Sequence, residues 1–203
     1  MKKKEFLALG VMTGTSMDGV DLSLIKSDGL SKFTAILNDY QSFDNEFQSN
    51  LINLRDKISC SKDLKKYSIE ISNLEREITI YHSRIINNFL LQSKSQVDLI
   101  GFHGQTIFHN ANEKISKQLG DGKLLSQITK KIVVNNFRQK DLINGGQGAP
   151  LTPIFHKLVS NLINEKYKIS FPLNIVNIGG ITNITHIPNN KNSNLNLYSY
   201  DIG

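Results

Sequence analysis

An α/β fold is predicted by three features of the sequence: strand-like apolar runs near the start, a long stretch with apolar residues at helical spacing, and an alternation of short apolar runs with helical segments after it. Phe6 to Met12 reads as a buried strand. After a loop, Val20 to Ile25 alternates inward and outward residues and Phe33 to Leu37 makes a third strand, so the chain opens on an antiparallel meander. Between Asp63 and Leu91, the residues Leu64, Tyr67, Ile71, Leu74, Ile78, Tyr81, Ile85 and Phe89 recur at steps of three and four, lining one face of a long helix or a closely coupled pair. Val97 to Phe102 is then a buried strand, Leu124 to Ile128 a short helix, Ile132 to Val134 a strand, and Thr152 to Asn164 an amphipathic helix. Beyond Leu173 there is room for about three strands and no covering helix, too little to close a separate core. The expected organisation is one domain over 1–171 and the incomplete start of a second over 172–203.

A weak internal echo supports that division. Leu9-Gly10-Val11-Met12-Thr13-Gly14-Thr15 and Val176-Asn177-Ile178-Gly179-Gly180-Ile181-Thr182 each read as strand, glycine turn, strand, as at the starts of two related domains flanking a cleft.

Composition narrows the class. The chain has 203 residues, 24 basic and 18 acidic side chains and a formal charge of +6. This length holds one full domain, or one plus a piece of another, and excludes a large multidomain enzyme. Cys60 is the single cysteine, so an intramolecular disulfide and a cysteine metal cluster are excluded, and a reducing cytoplasm is the natural compartment. Lysines fall at 2–4, 62–66, 130–131 and 166–168 among acidic residues, with no nucleic-acid motif beside them, so a solvated surface and no nucleic-acid partner are expected. Met1-Lys2-Lys3-Lys4 before Phe6 to Met12 superficially resembles a secretory signal, but the apolar run is short and no small-x-small cleavage site follows. No apolar run approaches the roughly 20 residues that span a bilayer. The chain is therefore expected to be neither secreted nor membrane-embedded.

Three polar segments stand out. Gly14-Thr15-Ser16-Met17-Asp18-Gly19-Val20-Asp21 sits between two strands, where glycines allow close backbone approach, amides and hydroxyls suit phosphate oxygens, and carboxylates suit a hydrated magnesium ion. A plain hairpin turn is the competing reading; it would want Asp-Gly but not Thr15, Ser16 and Asp21. The segment is neither a P-loop nor a serine-hydrolase elbow. Gly101-Phe102-His103-Gly104-Gln105-Thr106 follows the carboxyl end of a buried strand, where open α/β sheets bind ligands, and His103 and Gln105 suit hydroxyl or amide recognition. Its competitor is a structural histidine, and the five histidines show no metal spacing. Phe137-Arg138 and Asp141 lead into Asn144-Gly145-Gly146-Gln147-Gly148-Ala149-Pro150, a loop whose glycines are costly unless something approaches closely; an Arg138–Asp141 ion pair is the purely structural alternative.

In this order, these segments together with Asn177 to Asn183 and the terminal Tyr200-Asp201-Ile202-Gly203 resemble the anhydro-N-acetylmuramic acid kinases, a family of the hexokinase and actin superfamily. The resemblance implies a ribonuclease H-like N-terminal domain with a mixed sheet and flanking helices, plus the first strands of a truncated second domain. It implies an enzyme that uses ATP and Mg2+ to convert 1,6-anhydro-N-acetylmuramic acid to N-acetylmuramic acid 6-phosphate in peptidoglycan recycling. Gly14, Thr15, Ser16, Met17, Asp18, Gly19, Val20 and Asp21 would contact the nucleotide phosphates, with Asp18 and Asp21 facing the metal, and Gly179 and Gly180 would form a second phosphate hairpin. Asp201 would be the catalytic base. His103, Gln105, Arg138, Asp141 and Gln147 would lie near the sugar.

The departures from the family pattern are specific. Asn136 stands where the family usually has aspartate, Ile202 where it has threonine, and the family's second domain, with the late segment that holds adenosine, has no counterpart. The chain is thus expected to be a truncated or split kinase, inactive alone, with a complementary C-terminal chain or a homodimer left open. The alternatives are a noncatalytic sugar- or phosphate-binding module, and a structural fragment with no ligand.

Overall fold

The structure, a computed structural model, describes residues 4–179, 182–188 and 197–202, with Asp201 by its backbone alone. Gly180 lies outside these residues. Strands β1 (Phe6–Met12), β2 (Gly19–Ser27) and β3 (Phe33–Ser42) form the antiparallel meander that their alternation predicts. Strands β4 (Leu99–Phe102) and β7 (Ile132–Asn135) then add in parallel beside β1, giving a mixed sheet of order β3-β2-β1-β4-β7. The intervening hairpin of β5 (Gln105–Asn110) and β6 (Ile115–Leu119) is a separate two-stranded sheet. This five-stranded α/β architecture is the one that the resemblance to the hexokinase and actin superfamily implies.

The core follows from period-2 alternation. Leu9, Val11, Val20, Leu22, Leu24, Ile100 and Phe102 are buried on one face of the sheet. Helices α1 (Asn45–Asp56), α3 (Ser68–Ser93) and α4 (Gly122–Thr129) supply Phe47, Leu51, Leu54, Ile71, Leu74, Ile78, Ile86, Phe89 and Leu125 to the same cluster. Each such side chain contributes roughly 1.5–3 kcal/mol by leaving water. The long apolar stripe resolves into the coupled pair, a short α2 (Ser61–Lys66) and α3.

Three elements are not predicted, although the first carries Phe47, Leu51 and Leu54 at helical spacing. Helix α1 is set by its N-cap, since the Asp44 carboxylate accepts from the Phe47 amide at 2.8 Å. The β5–β6 hairpin buries only Gln105, Ile107 and Leu119. Helix α5 (Phe137–Ile143) buries only Leu142 and starts from Asn136 in the left-handed region, at φ +58°.

Contacts divide the chain into two compact units, Met1–Gln147 and Gly148–Gly203. The second holds helix α6 (Pro153–Tyr167) and the antiparallel strands β8 (Leu173–Asn177), β9 (Asn183–Ile187) and β10 (Tyr198–Asp201), in the order β10-β9-β8. The sequence reading sets its boundary after residue 171 and expects no helix over these strands. Instead α6 packs on β9, where His156 Nδ1 lies 2.8 Å from Thr185 Oγ1 and both Thr185 and Ile187 are buried. The strands thus have a covering helix, supplied from before them in sequence.

Acid sensitivity is built into the β2–β3 turn. The Asp28 carboxylate accepts from the amides of Ser31, Lys32 and Leu30 at 2.8–3.0 Å, which holds its pKa well below the usual carboxylate range. A depressed folded-state pKa contributes stability above the unfolded value near 4 and loses it as pH falls below that value. Asp28→Asn is therefore expected to be less stable than the parent at pH 6, with the gap narrowing steadily below about pH 4. Urea titrations at pH 6, 4 and 3 check this; a gap constant across the three assigns the effect to something other than the charge.

Candidate active site

The sequence places Gly14 to Asp21 directly after the apolar strand β1, and the structure makes it a tight turn: the Met17 amide donates to the Gly14 carbonyl at 3.2 Å. The central Thr15 and Ser16 are exposed, and their amides donate to nothing among the described residues. Two adjacent amides of this kind are available to donate to an anion. Ser16 Oγ donates to Asp18 Oδ1 at 2.6 Å, and the Tyr40 hydroxyl reaches the same carboxylate. Partial burial raises the Asp21 pKa, and the nearby Asp18 charge raises it further, so the two carboxylates feel one another. A divalent cation would relieve that repulsion.

Not every residue of the segment faces outward. Met17 and Val20 are buried in the core, and Gly19 is backed so closely by Gln41 and Tyr40 that a Cβ would lie 2.4 Å from the Gln41 carbonyl. Strand alternation puts Val20 inside and Asp21 outside. The side chains available to a ligand are therefore those of Thr15, Ser16, Asp18 and Asp21. Asp21 also borders an open groove of about 490 Å3 lined in part by Gly10, Met12, Ser23, Gly101 and Phe137.

A second cluster forms at the carboxyl ends of β4 and β7. The His103 amide donates to the Val11 carbonyl at 3.0 Å, which ties this segment to the end of β1. The His103 Nδ1 proton goes to the Gly104 carbonyl at 2.8 Å, leaving Nε2 to accept from Arg138 Nε at 3.1 Å. Burial, and secondarily the guanidinium, lowers the His103 pKa, so the ring is neutral and oriented. His109 is lowered by the same two causes and bonds the Gln147 backbone, while its Nδ1 lies 3.0 Å from Ser116 Oγ. His103, Arg138, His109 and Gln147 thus belong to one neighbourhood.

The remaining expected sugar-side residues have different settings. Gln105 is 1% exposed: its amide donates to the Thr106 carbonyl at 3.0 Å, and its Oε1 has no partner among the described residues. Asp141 is exposed, with its carboxylate against Gly146, whose amide donates to the Asp141 carbonyl at 2.9 Å. Beside His103 opens a polar cavity of about 300 Å3, lined in part by Glu75, Gln118, Asn135, Asn136 and Gln139. Sequence reading singled out Asn136 only as a departure, and the other four lack any motif.

Gly179 is exposed after β8, whereas Gly180 is not described. Asp201 ends β10, its backbone paired with Asn183. Among the described residues no group of three or more histidine, cysteine, aspartate or glutamate side chains could hold a metal, and no helix is long and apolar enough to cross a membrane. A cation at Asp18 and Asp21 would therefore take most of its ligands from water and from a bound phosphate, as magnesium commonly does.

A sequence profile of the family described as "Anhydro-N-acetylmuramic acid kinase" matches residues 6–203. Relatives carrying that name include one from Pelagibacter ubique, 53% identical over 201 residues, covering 99% of this chain and 52% of the relative. Others come from Brucella suis, 36% identical over 187 residues, and Agrobacterium fabrum, 34% identical over 183 residues; each covers 89% of this chain and 48% of the relative. The chain thus spans about half the length of the curated relatives it matches. With the profile matched from the first strand to the last residue, and with relatives sharing a third to a half of its residues, the chain belongs to the anhydro-N-acetylmuramic acid kinase family.

Proposed function

We propose that this chain carries the phosphate-binding turn and the sugar-recognition loops of a cytoplasmic kinase that converts 1,6-anhydro-N-acetylmuramic acid to N-acetylmuramic acid 6-phosphate. The observation that carries this reading is the Gly14–Met17 turn, with two amides that have no partner among the described residues beside the carboxylates Asp18 and Asp21, whose charges act on one another. That donor set fits a magnesium-bound nucleotide: the Thr15 and Ser16 amides and hydroxyls would take phosphate oxygens, and the carboxylates would hold the metal's water shell. ATP would supply the phosphoryl group.

Neutral His103, fixed by Gly104 and Arg138, would offer no proton at Nε2 and would act by orienting the guanidinium toward the sugar. Gln105, Asp141 and Gln147 would flank it. Asp201 would take a proton from the water that attacks the anomeric carbon as the C1–O6 bond breaks and O6 accepts the phosphoryl group. Gly179 and Gly180 would form the second phosphate hairpin, among the strands that follow residue 172.

Phosphoryl transfer depends on positioning both substrates in one site and on stabilising spread charge. Since the matched relatives are about twice as long, the 203-residue chain alone is expected to transfer no detectable phosphate, and to gain activity when the remaining half of a related kinase is supplied in trans or by fusion. Radiolabelled ATP with the anhydro sugar reads both. Robust turnover by the chain alone refutes the shared-site reading. If the reconstituted protein binds magnesium-ATP yet turns nothing over, a noncatalytic phosphate-binding module is the better description.

A further inference from the structure

Beneath the Gly14–Met17 turn lies a buried polar pair that no step above uses. His82 of α3 is 0% exposed and Thr13 is 2% exposed. His82 Nδ1 lies 2.8 Å from the Ile78 carbonyl, which can only accept, so Nδ1 carries the proton. Nε2 is therefore an acceptor, and the Thr13 hydroxyl, 3.0 Å away, donates to it. Burial lowers the ring's pKa to about 4, consistent with a neutral imidazole.

The surroundings of this pair reach two backbone segments of the site. The ring packs edge-on against Phe43 and Phe102, with centroids 6.3 and 5.2 Å away. The Phe43 amide donates to the Asp18 carbonyl at 2.9 Å, and Phe102 immediately precedes His103, whose amide holds the Val11 carbonyl. Valine at 13 and an aromatic hydrocarbon at 82 would fill the same apolar space without the cost of burying two polar groups. What they would lose is direction: a hydrogen bond fixes the Thr13 side chain, and with it the residue that immediately precedes Gly14, where packing alone does not.

We propose that His82, acting through the Thr13 hydroxyl, is the positioning residue of the Gly14–Met17 turn, holding the Thr15 and Ser16 amides in one preformed anion-binding arrangement. The functional consequence rests on the phosphate role proposed above; the structural coupling does not. Thr13 is the lever, because its side chain lies in the core while its backbone enters the turn.

The test uses the 203-residue chain, labelled with nitrogen-15. Thr13→Val and His82→Phe are each expected to shift and broaden the Thr15 and Ser16 amide signals, with strand β1 signals in place. The double variant should look like either single, and Thr13→Ser and His82→Gln, which keep a donor and an acceptor, should restore the parent spectrum. In the parent, the unprotonated Nε2 of His82 should give its own nitrogen signal, which moves in Thr13→Val. Unchanged turn amides in Thr13→Val, or additive effects in the double variant, overturn the proposal even if His82→Phe fails to fold.

Titration with inorganic tripolyphosphate and magnesium-ATP separates the two levels. Affinity is expected to fall about tenfold in either single variant, and by the same factor in the double. If the parent binds neither probe while the amides remain coupled, the phosphate reading fails and the positioning role stands.

Discussion

Gly104→Ala is expected to destabilise the first unit by about 3 kcal/mol, lowering its Tm by roughly 6–12 °C. Gly104 sits at φ +69°, where the left-handed backbone alone costs alanine about 1 kcal/mol. Steric contact costs more: a Cβ there would lie 2.1 Å from the Leu119 carbonyl oxygen, which is backbone and cannot rotate away. Leu119 is 0% exposed and paired with Gln105, so yielding would pull β6 off β5 and disturb the hydrogen bond from His103 Nδ1 to the Gly104 carbonyl. Gly29 is the control. It has nearly the same φ, +72°, with nothing within 4 Å of a Cβ, so Gly29→Ala should cost only about 1 kcal/mol. Equal losses for the two variants, measured by urea denaturation, would show that the left-handed backbone and not the Leu119 contact sets the cost.

That contrast marks what a sequence exposes. Phe6–Met12 and Gly19–Ser27 are legible because Leu9, Val11, Val20, Leu22 and Leu24 alternate with polar or small residues, and burial repeats that alternation. The same alternation, carried to Val20 and Asp21, already sorts the end of the Gly14–Asp21 segment into inward and outward side chains. His82 was equally readable, four residues after Ile78 on the apolar stripe of α3, where a polar side chain must find a partner. Its partner was not readable, because Thr13 lies 69 positions away and only the fold brings them together. Helix α1 was legible too, from Phe47, Leu51 and Leu54 at steps of four and three behind the Asp44 cap, whereas the β5–β6 hairpin is set by its own strand pairing and buries little apolar surface. The Arg138–His103 bond escaped too, because 35 positions separate the two residues and only the fold brings them together.

The largest effect on chemistry is expected at Asp201, in the enzyme reconstituted with the remaining half of a related kinase. Asp201→Asn keeps the size and most of the hydrogen-bonding reach of the side chain while removing its ability to take a proton. If Asp201 is the base that activates water, turnover should fall about 10²- to 10⁴-fold with sugar and magnesium-ATP affinities nearly unchanged. Asp18→Asn should fail differently. Asp18 accepts from Ser16 and Tyr40 and its charge acts on Asp21, so neutralising it removes half the negative charge offered to a cation. The expected result is weaker magnesium-ATP binding, relieved by raising magnesium, with the turnover of the saturated enzyme less affected. The Asp21 carboxyl, freed of its neighbour's repulsion, should also titrate at lower pH in Asp18→Asn, which a carbon-13 carboxyl titration of the 203-residue chain reads without any activity. Full turnover in Asp201→Asn, or a loss confined to nucleotide affinity, would remove Asp201 from the base role; an unmoved Asp21 titration would remove the coupling on which the metal assignment rests.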